Sequence, residues 1–426
     1  MSTKCRNILF FICGLCIVTM LCVSYHILKI GGVIQPYFCL KGKTQLQISY
    51  QDEYQELGYI ARTMFVNQKD QVQIKKVKIS QNEYQIQYTF QNLQLKRNIK
   101  VVDDVKPEIK IVGEPELVLL EGEAYQELGY QAIDEIDGDL TKQVEIKKQK
   151  LQNKDYQIIY AVEDHAHNKT QCIRKVKVVE NPMNQTLHYQ HDAYDNTYEE
   201  WWFEKSVNHQ QNKGARSKAF LQQYNAYYQG KKEKVLYLTF DEGGNDVTYI
   251  KEIAKILDQH QVKASFFLTA NYLRSESKWV KTMVQNGHDI VNHTAHHKDM
   301  TKLAHEGRIK EFVSEIKSWE QDYLKIVGAK SKPYFRFPKG GFSERSLKMV
   351  SDLGYKSIFW SHAYYDYGKD ISKEDALASL LEHVHPGAIY LIHPSNRGNY
   401  EAIEDFIMEM QKQGYRFALL DDLVSS

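Results

Sequence analysis

The sequence predicts a multidomain chain: an N-terminal transmembrane helix, two small all-β sandwiches, and a C-terminal α/β deformed (β/α) barrel. Three observations carry this reading. An uncharged apolar run lies near the start, a hexapeptide and its strand-like surroundings occur twice in the middle, and buried-strand runs alternate with helical periodicity from residue 234 onward. The expected divisions are a tail at 1–7, an anchor at 8–28, sandwiches at 44–103 and 104–180, a linker at 181–197 and a C-terminal module at 198–426. Lys+Arg 55 against Asp+Glu 54 leaves a net charge of +1, which speaks against a nucleic-acid binder. Six cysteines are too few for a disulfide scaffold, and Cys39 and Cys172 form no metal or redox motif.

From Ile8 to Leu28 no Asp, Glu, Lys or Arg occurs. At ~1.5 Å per residue this run is roughly as long as the ~30 Å hydrocarbon core of a bilayer. Lys4 and Arg6 precede it as a cytoplasmic flank would, although Lys29, Lys41 and Lys43 on the far side weaken the asymmetry. The competing reading is a cleaved signal peptide with a weak small-residue site at Cys22-Val23-Ser24. The expectation is a single-pass protein of the cell membrane, anchored there and with its later domains outside the cytoplasm.

Tyr54-Gln-Glu-Leu-Gly-Tyr59 recurs as Tyr125-Gln-Glu-Leu-Gly-Tyr130, and Tyr84-Gln-Ile-Gln-Tyr88 answers Tyr156-Gln-Ile-Ile-Tyr160. Alternating apolar positions such as Tyr84, Ile86 and Tyr88 mark strands, so each copy reads as a sandwich. With the acidic run Asp134 to Asp139, the second copy resembles bacterial immunoglobulin-like surface domains. That run reads better as a solvated Asp-Gly turn than as a calcium loop, because the first copy lacks it. Residues 181–233 are polar yet rich in aromatics, and are expected to pack on the module that follows.

In the C-terminal part, Val235 to Phe240, Ala264 to Leu268, Ile290-Val291, Tyr334 to Phe337, Ser357 to Trp360 and Ala388 to Ile392 read as buried parallel strands. Polar residues close these runs: Asp241-Glu242, His293 with His297, Arg336, Tyr365-Asp366 and His393. In parallel α/β folds chemistry gathers at that edge. His293 and His297 are spaced i and i+4, so a helical turn would place both imidazoles on one face as a metal pair. Adjacent carboxylates at Asp241 and Glu242 suit separate base and ligand roles. Arg336 between Phe335 and Phe337 implies a partly buried ion partner.

These motifs in this order resemble the NodB homology domain of the polysaccharide deacetylases, carbohydrate esterase family 4. They comprise Thr239-Phe-Asp-Glu-Gly243, His293 to His297, Arg336-Phe-Pro-Lys-Gly340, Tyr365 to Tyr367 and Leu391 to His393. Tyr224 to Tyr228, Gly341 to Ser346, Phe359-Trp-Ser361 and His385 to Ala388 are similar to the δ-lactam-biosynthetic muramic-acid deacetylase branch. The resemblance implies a divalent metal, Zn²⁺ being the expectation, held by His293, His297 and Glu242. It makes Asp241 the general base, His393 the proton donor, Arg336 the partner of Asp241 and Asp366 that of His393. It also implies a substrate-binding wall of Trp360, Leu391, Phe337 and Pro338, and a backbone oxyanion donor between Tyr334 and Phe337. The chain departs from the family in Glu242, where Asp is usual, in Tyr367, and in a short loop after Gly243.

The expected function is de-N-acetylation of peptidoglycan amino sugars, N-acetylmuramic acid or N-acetylglucosamine, with release of acetate. The partners are a cell-wall glycan and the membrane, with no nucleic acid and no protein partner. Two alternatives stand beside it: a non-catalytic glycan-binding surface protein, and a deacetylase of an N-acetylglucosamine exopolysaccharide.

Overall fold

A computed structural model describes residues 35–63, 66–187, 193–242 and 249–424. Among the described residues no helix is long and apolar enough to cross a membrane. This finding corrects the expectation of a transmembrane helix and of a single-pass membrane location. The longest described helix, Ile309–Val327, buries Phe312, Ile316 and Trp319, but its other faces carry Lys310, Glu311, Asp322 and Lys325. It is amphipathic and suited to a protein core rather than to lipid. The run 8–28, on which the expectation rested, lies outside the described residues.

The two middle repeats share one plan. In the first, a four-stranded sheet is ordered Gln45–Ser49, Leu93–Val102, Glu83–Phe90, Gln73–Lys78. In the second, Glu116–Leu120, Lys169–Val179, Tyr156–Glu163 and Glu145–Lys150 follow the same order. In each the first strand runs parallel to its long neighbour. The structure also explains why the Tyr-Gln-Glu motif is repeated. Arg97, fully buried, donates to Tyr54 Oη at 2.6 Å and Glu56 Oε1 at 2.9 Å. In the second copy Arg174, equally buried, donates to Tyr125 Oη at 2.9 Å and lies 3.5 Å from Glu127 Oε1. A buried guanidinium needs several acceptors, and the motif supplies them.

The C-terminal module is built on an all-parallel sheet in the order Ala226–Tyr227, Lys356–Ile358, Tyr334–Phe335, Asp289–Asn292, Ser265–Leu268, Val235–Glu242, Ala388–Ile392, with Arg416–Phe417 pairing beside Val235. It is a half-barrel: Ala226–Tyr227 and Ala388–Ile392 form its two ends. Among the described residues, isolated bridges from Gln229 to Ala388 and from His362 to Tyr390 reach across to the last strand. Every residue of Val235–Glu242 is buried, as expected of a central parallel strand. The helices cover it with apolar stripes, such as Ile250, Ile253, Ala254 and Leu257 of Ile250–Gln259. The approach segment joins the same unit, because Glu199–Glu200 pairs with Gly341–Phe342 and Ala226–Tyr227 is an edge strand of the sheet. Trp201 stacks on Phe359 at 4.4 Å, and its Nε1–H donates to the Trp360 carbonyl at 2.9 Å.

Candidate active site

A cleft of 570 Å³ opens at the C-terminal edge of the parallel strands. It is lined by Asp241, Glu242, His293, His297, Trp360, Leu391 and His393, together with Glu200, Trp201, Lys339, Gly340, Tyr367 and Ser395. Residues up to 195 positions apart therefore share one surface. The register explains how: Asp241 and Glu242 are the last two residues of their strand, opposite Phe267 and Leu268. His293 follows the strand that ends at Asn292, and His393 the one that ends at Ile392.

Asp241 is 7% exposed, and its Oδ1 accepts from Arg336 Nη1 at 2.5 Å. Arg336 has no exposed surface. It also donates to Thr239 Oγ1 at 2.8 Å and the Ile358 carbonyl at 2.9 Å, and lies over the Phe267 ring at 4.0 Å. A buried cation fixed at this many points holds its carboxylate partner in one position. Glu242 accepts from the Thr269 hydroxyl at 3.2 Å.

His293 Nδ1 lies 3.0 Å from the Arg336 carbonyl, an acceptor, so Nδ1 carries the proton and Nε2 keeps its lone pair. That Nε2 stands 3.8 Å from Asp241 Oδ2. The His293 and His297 rings are 4.9 Å apart. They do not share a helical turn: residues 293–299 form no helix, and Thr294 and His297 take φ of 69° and 55°. The loop is braced instead by Asn292 Oδ1, which accepts the Thr294 N–H at 2.9 Å, and by Thr294 Oγ1, which accepts the His297 N–H at 2.9 Å. Burial first, then the Arg336 cation, takes His293 down to about 3. Burial and then His293 do the same to His297. Two neutral imidazoles, one with its free lone pair set by the Arg336 carbonyl at its other nitrogen, beside two carboxylates form a donor set that fits a divalent metal. These donors as a set stand wider apart than 4.8 Å.

Across the cleft, His393 Nδ1–H donates to Asp366 Oδ1 at 2.7 Å, and the His393 backbone N–H donates to Asp366 Oδ2 at 2.8 Å. Asn399 Nδ2 completes the shell of Asp366 at 2.7 Å. Burial alone would lower the His393 pKa, but the hydrogen bond and charge of Asp366, with help from Asp241, outweigh it and the net shift is upward. Tyr367 meets the His393 ring edge-on at 5.6 Å.

Arg336 and Asp366 sit behind the cleft wall rather than in it. Phe337, 1% exposed, lies in the core against Phe335 and Phe359, and Pro338 is buried beside it. Lys339 and Gly340 reach the cleft in their place, both with positive φ. The N–H groups of Tyr334 and Arg336 already donate to the carbonyls of Lys332 and Asn292. Sequence reasoning quoted Thr239 within its motif without giving it a role, and missed Asn399 and Glu315. Glu315, on Ile309–Val327, holds His296 at 2.9 Å and braces the loop carrying both histidines. No local pattern marks it, since a Glu on a helix ordinarily faces solvent. The loop after Gly243 lies outside the described residues.

A family model described as polysaccharide deacetylase matches residues 228–358, and one described as bacterial surface protein, Ig-like domain, matches 109–178. The chain is 37% identical over 239 residues to the peptidoglycan-N-acetylmuramic acid deacetylase PdaA of Bacillus subtilis, covering 55% of this chain and 89% of that protein. It is 26% identical to a peptidoglycan-N-acetylglucosamine deacetylase of Bacillus cereus, covering 45% and 89%. The solved structure of Bacillus subtilis PdaA, a family 4 carbohydrate esterase, superposes with a TM-score of 0.51 at 36% identity, over 54% of this chain and 98% of that one.

Proposed function

From the premise that this chain belongs to the polysaccharide deacetylase family, enzymes that hydrolyse the amide of N-acetylated sugars, we propose that its cleft de-N-acetylates peptidoglycan amino sugars. N-Acetylmuramic acid is the favoured substrate, on the identity to the muramic acid deacetylase. The observation that carries the mechanism is the pairing of Arg336 with Asp241 and of Asp366 with His393 at the ends of two neighbouring strands that line one cleft.

A divalent metal, Zn²⁺ by expectation, would be held by His293 and His297 with the carboxylate of Glu242. Bound there it polarises the substrate carbonyl and acidifies water. Asp241 takes a proton as water adds to the N-acetyl carbon, and Arg336 keeps that carboxylate aimed. His393 then gives its Nε2 proton to the sugar nitrogen as the C–N bond breaks, leaving acetate and a free amine. Asp366 orients the imidazole and favours its cationic form. Trp360 and Leu391 face the acetyl methyl, while Phe337 and Pro338 support the turn that brings Lys339 to the cleft.

Two measurements follow. Acetate release from purified peptidoglycan should fall to background after dialysis against a chelator and return with added Zn²⁺. Undiminished release after metal removal would overturn the metal's place in this reading. The second concerns pH. The proton-donating form of His393 is the cation, so kcat should fall as pH rises through its pKa, which lies above the ordinary value of 6.5. Asp366→Asn removes the group that raises it and should move this alkaline limb to lower pH. An unmoved limb contradicts the assignment of His393.

A further inference from the structure

Among the described residues, one group of three carboxylates has its ligating oxygens all within 4.8 Å of one another: Asp103, Asp137 and Asp164. They come from three separate places. Asp103 follows Leu93–Val102, the last strand of the first repeat. Asp137 lies in the turn between Tyr130–Asp134 and Gly138–Asp139, and Asp164 follows Tyr156–Glu163. Only Asp137 belongs to the acidic run visible in the sequence.

A second observation is independent of this crowding. Asp134 is 3% exposed, and its Oδ2 is buried without a hydrogen-bond partner, whereas Oδ1 accepts the N–H groups of Ile136 and Asp137. Leaving a buried carboxylate oxygen unpaired is costly unless something of opposite charge meets it. The Asp137 N–H bond to Oδ1 sets the Asp134 carboxylate beside the cluster, and its charge acts on Asp103 together with those of Asp164 and Asp137. Burial first, and then these three charges, hold the Asp103 carboxyl above its usual range.

The remaining contacts leave room for a ligand. Asp137 Oδ2 accepts the His165 N–H at 2.7 Å and faces His165 Nδ1 at 2.9 Å, with that imidazole 78% exposed and able to turn away. Asp164 accepts from the backbone N–H and Nδ2 of Asn168 at 2.7 and 2.9 Å, and Asp103 Oδ1 from the Val105 N–H at 3.2 Å. An ionised carboxylate has about four acceptor sites, so these bonds do not exhaust the set. No Lys or Arg among the described residues forms an ion pair with any of the four carboxylates.

We propose that Asp103, Asp137 and Asp164, with the buried Asp134, form a Ca²⁺ site at the junction of the two β-repeats. Hard, anionic oxygen donors on turns and strand ends suit Ca²⁺, which takes 6–8 oxygens in adaptable geometry. Mg²⁺ demands a near-octahedral shell, and Zn²⁺ prefers nitrogen and sulfur. Asp103 closes the first repeat and the other three belong to the second, so the ion ties one repeat to the next. The site is separate from the deacetylase cleft, and its failure would leave that reading intact.

Calorimetric titration of the chelator-stripped full chain with CaCl₂ tests the proposal. The native protein should bind one ion that raises its melting temperature. Asp103→Asn and Asp137→Asn should each weaken binding at least about tenfold, the loss of one charged ligand. Asp103 lies outside any strand, so its variant keeps the test valid if Asp137→Asn fails to fold. Acetate release, measured after Zn²⁺ is restored, serves as a control and should be unchanged in both. Absence of saturable Ca²⁺ binding, binding unaltered in the variants, or MgCl₂ binding as tightly as CaCl₂ would each overturn the assignment.

Discussion

Asp241→Asn is expected to lower acetate release by about 10²–10⁴-fold, the contribution of a positioned general base. The substitution keeps the size of the side chain and an oxygen for Arg336 Nη1 to meet, so the strand end should hold its shape. What it loses is the ability to take a proton, and the negative charge that faces His393 and Arg336. Circular dichroism separates the two effects. The expected variant retains the helical and sheet signal of the parent while turning over at a small fraction of its rate. An Asp241→Asn protein that is folded and active at near the parental rate contradicts the base assignment.

The largest stability effect is expected at Arg336. Its guanidinium has no exposed surface and joins four places in the module: Asp241 and Thr239 on one strand, and the Ile358 and Phe359 carbonyls at the end of the strand that neighbours its own. Arg336→Ala deletes all of these and leaves the Asp241 carboxylate, 7% exposed, without its cation. Removing one partner of a buried pair costs about 3–5 kcal/mol. Lys would not repair this, because an ammonium cannot make the same divergent fork of hydrogen bonds. Denaturant unfolding of the C-terminal module should show the loss as a lowered midpoint. A change below about 1 kcal/mol, the scale of an exposed pair, would mean that the charge is not buried as described.

Much of the site could be read from the chain because parallel strands advertise themselves. Val235 to Phe240 and Ala388 to Ile392 are nearly all apolar, and a polar residue immediately after such a run must lie at the sheet's functional edge. That is how Asp241 and His393 are found. The histidine pair was legible in its spacing but not in its cause: the rings approach each other through a left-handed loop braced by Asn292 and Glu315, and no helix is involved. Phe337 and Pro338, next to Arg336, looked like substrate contacts, yet Phe337 joins the aromatic core. The membrane expectation rested on residues 8–28 alone, and the described helices are amphipathic rather than uniformly apolar. The acidic cluster was legible only in part: Asp134 and Asp137 lie in the run read as a solvated turn, while Asp103 and Asp164, 34 and 27 residues from Asp137, join them only through folding.

Mass spectrometry of peptidoglycan digested after exposure to the protein reports the acetyl state of each amino sugar separately. Muramic acid residues lacking their acetyl group should accumulate with the native chain and be absent with Asp241→Asn. Glycan that keeps every N-acetyl group after exposure to metal-loaded native protein would contradict the account.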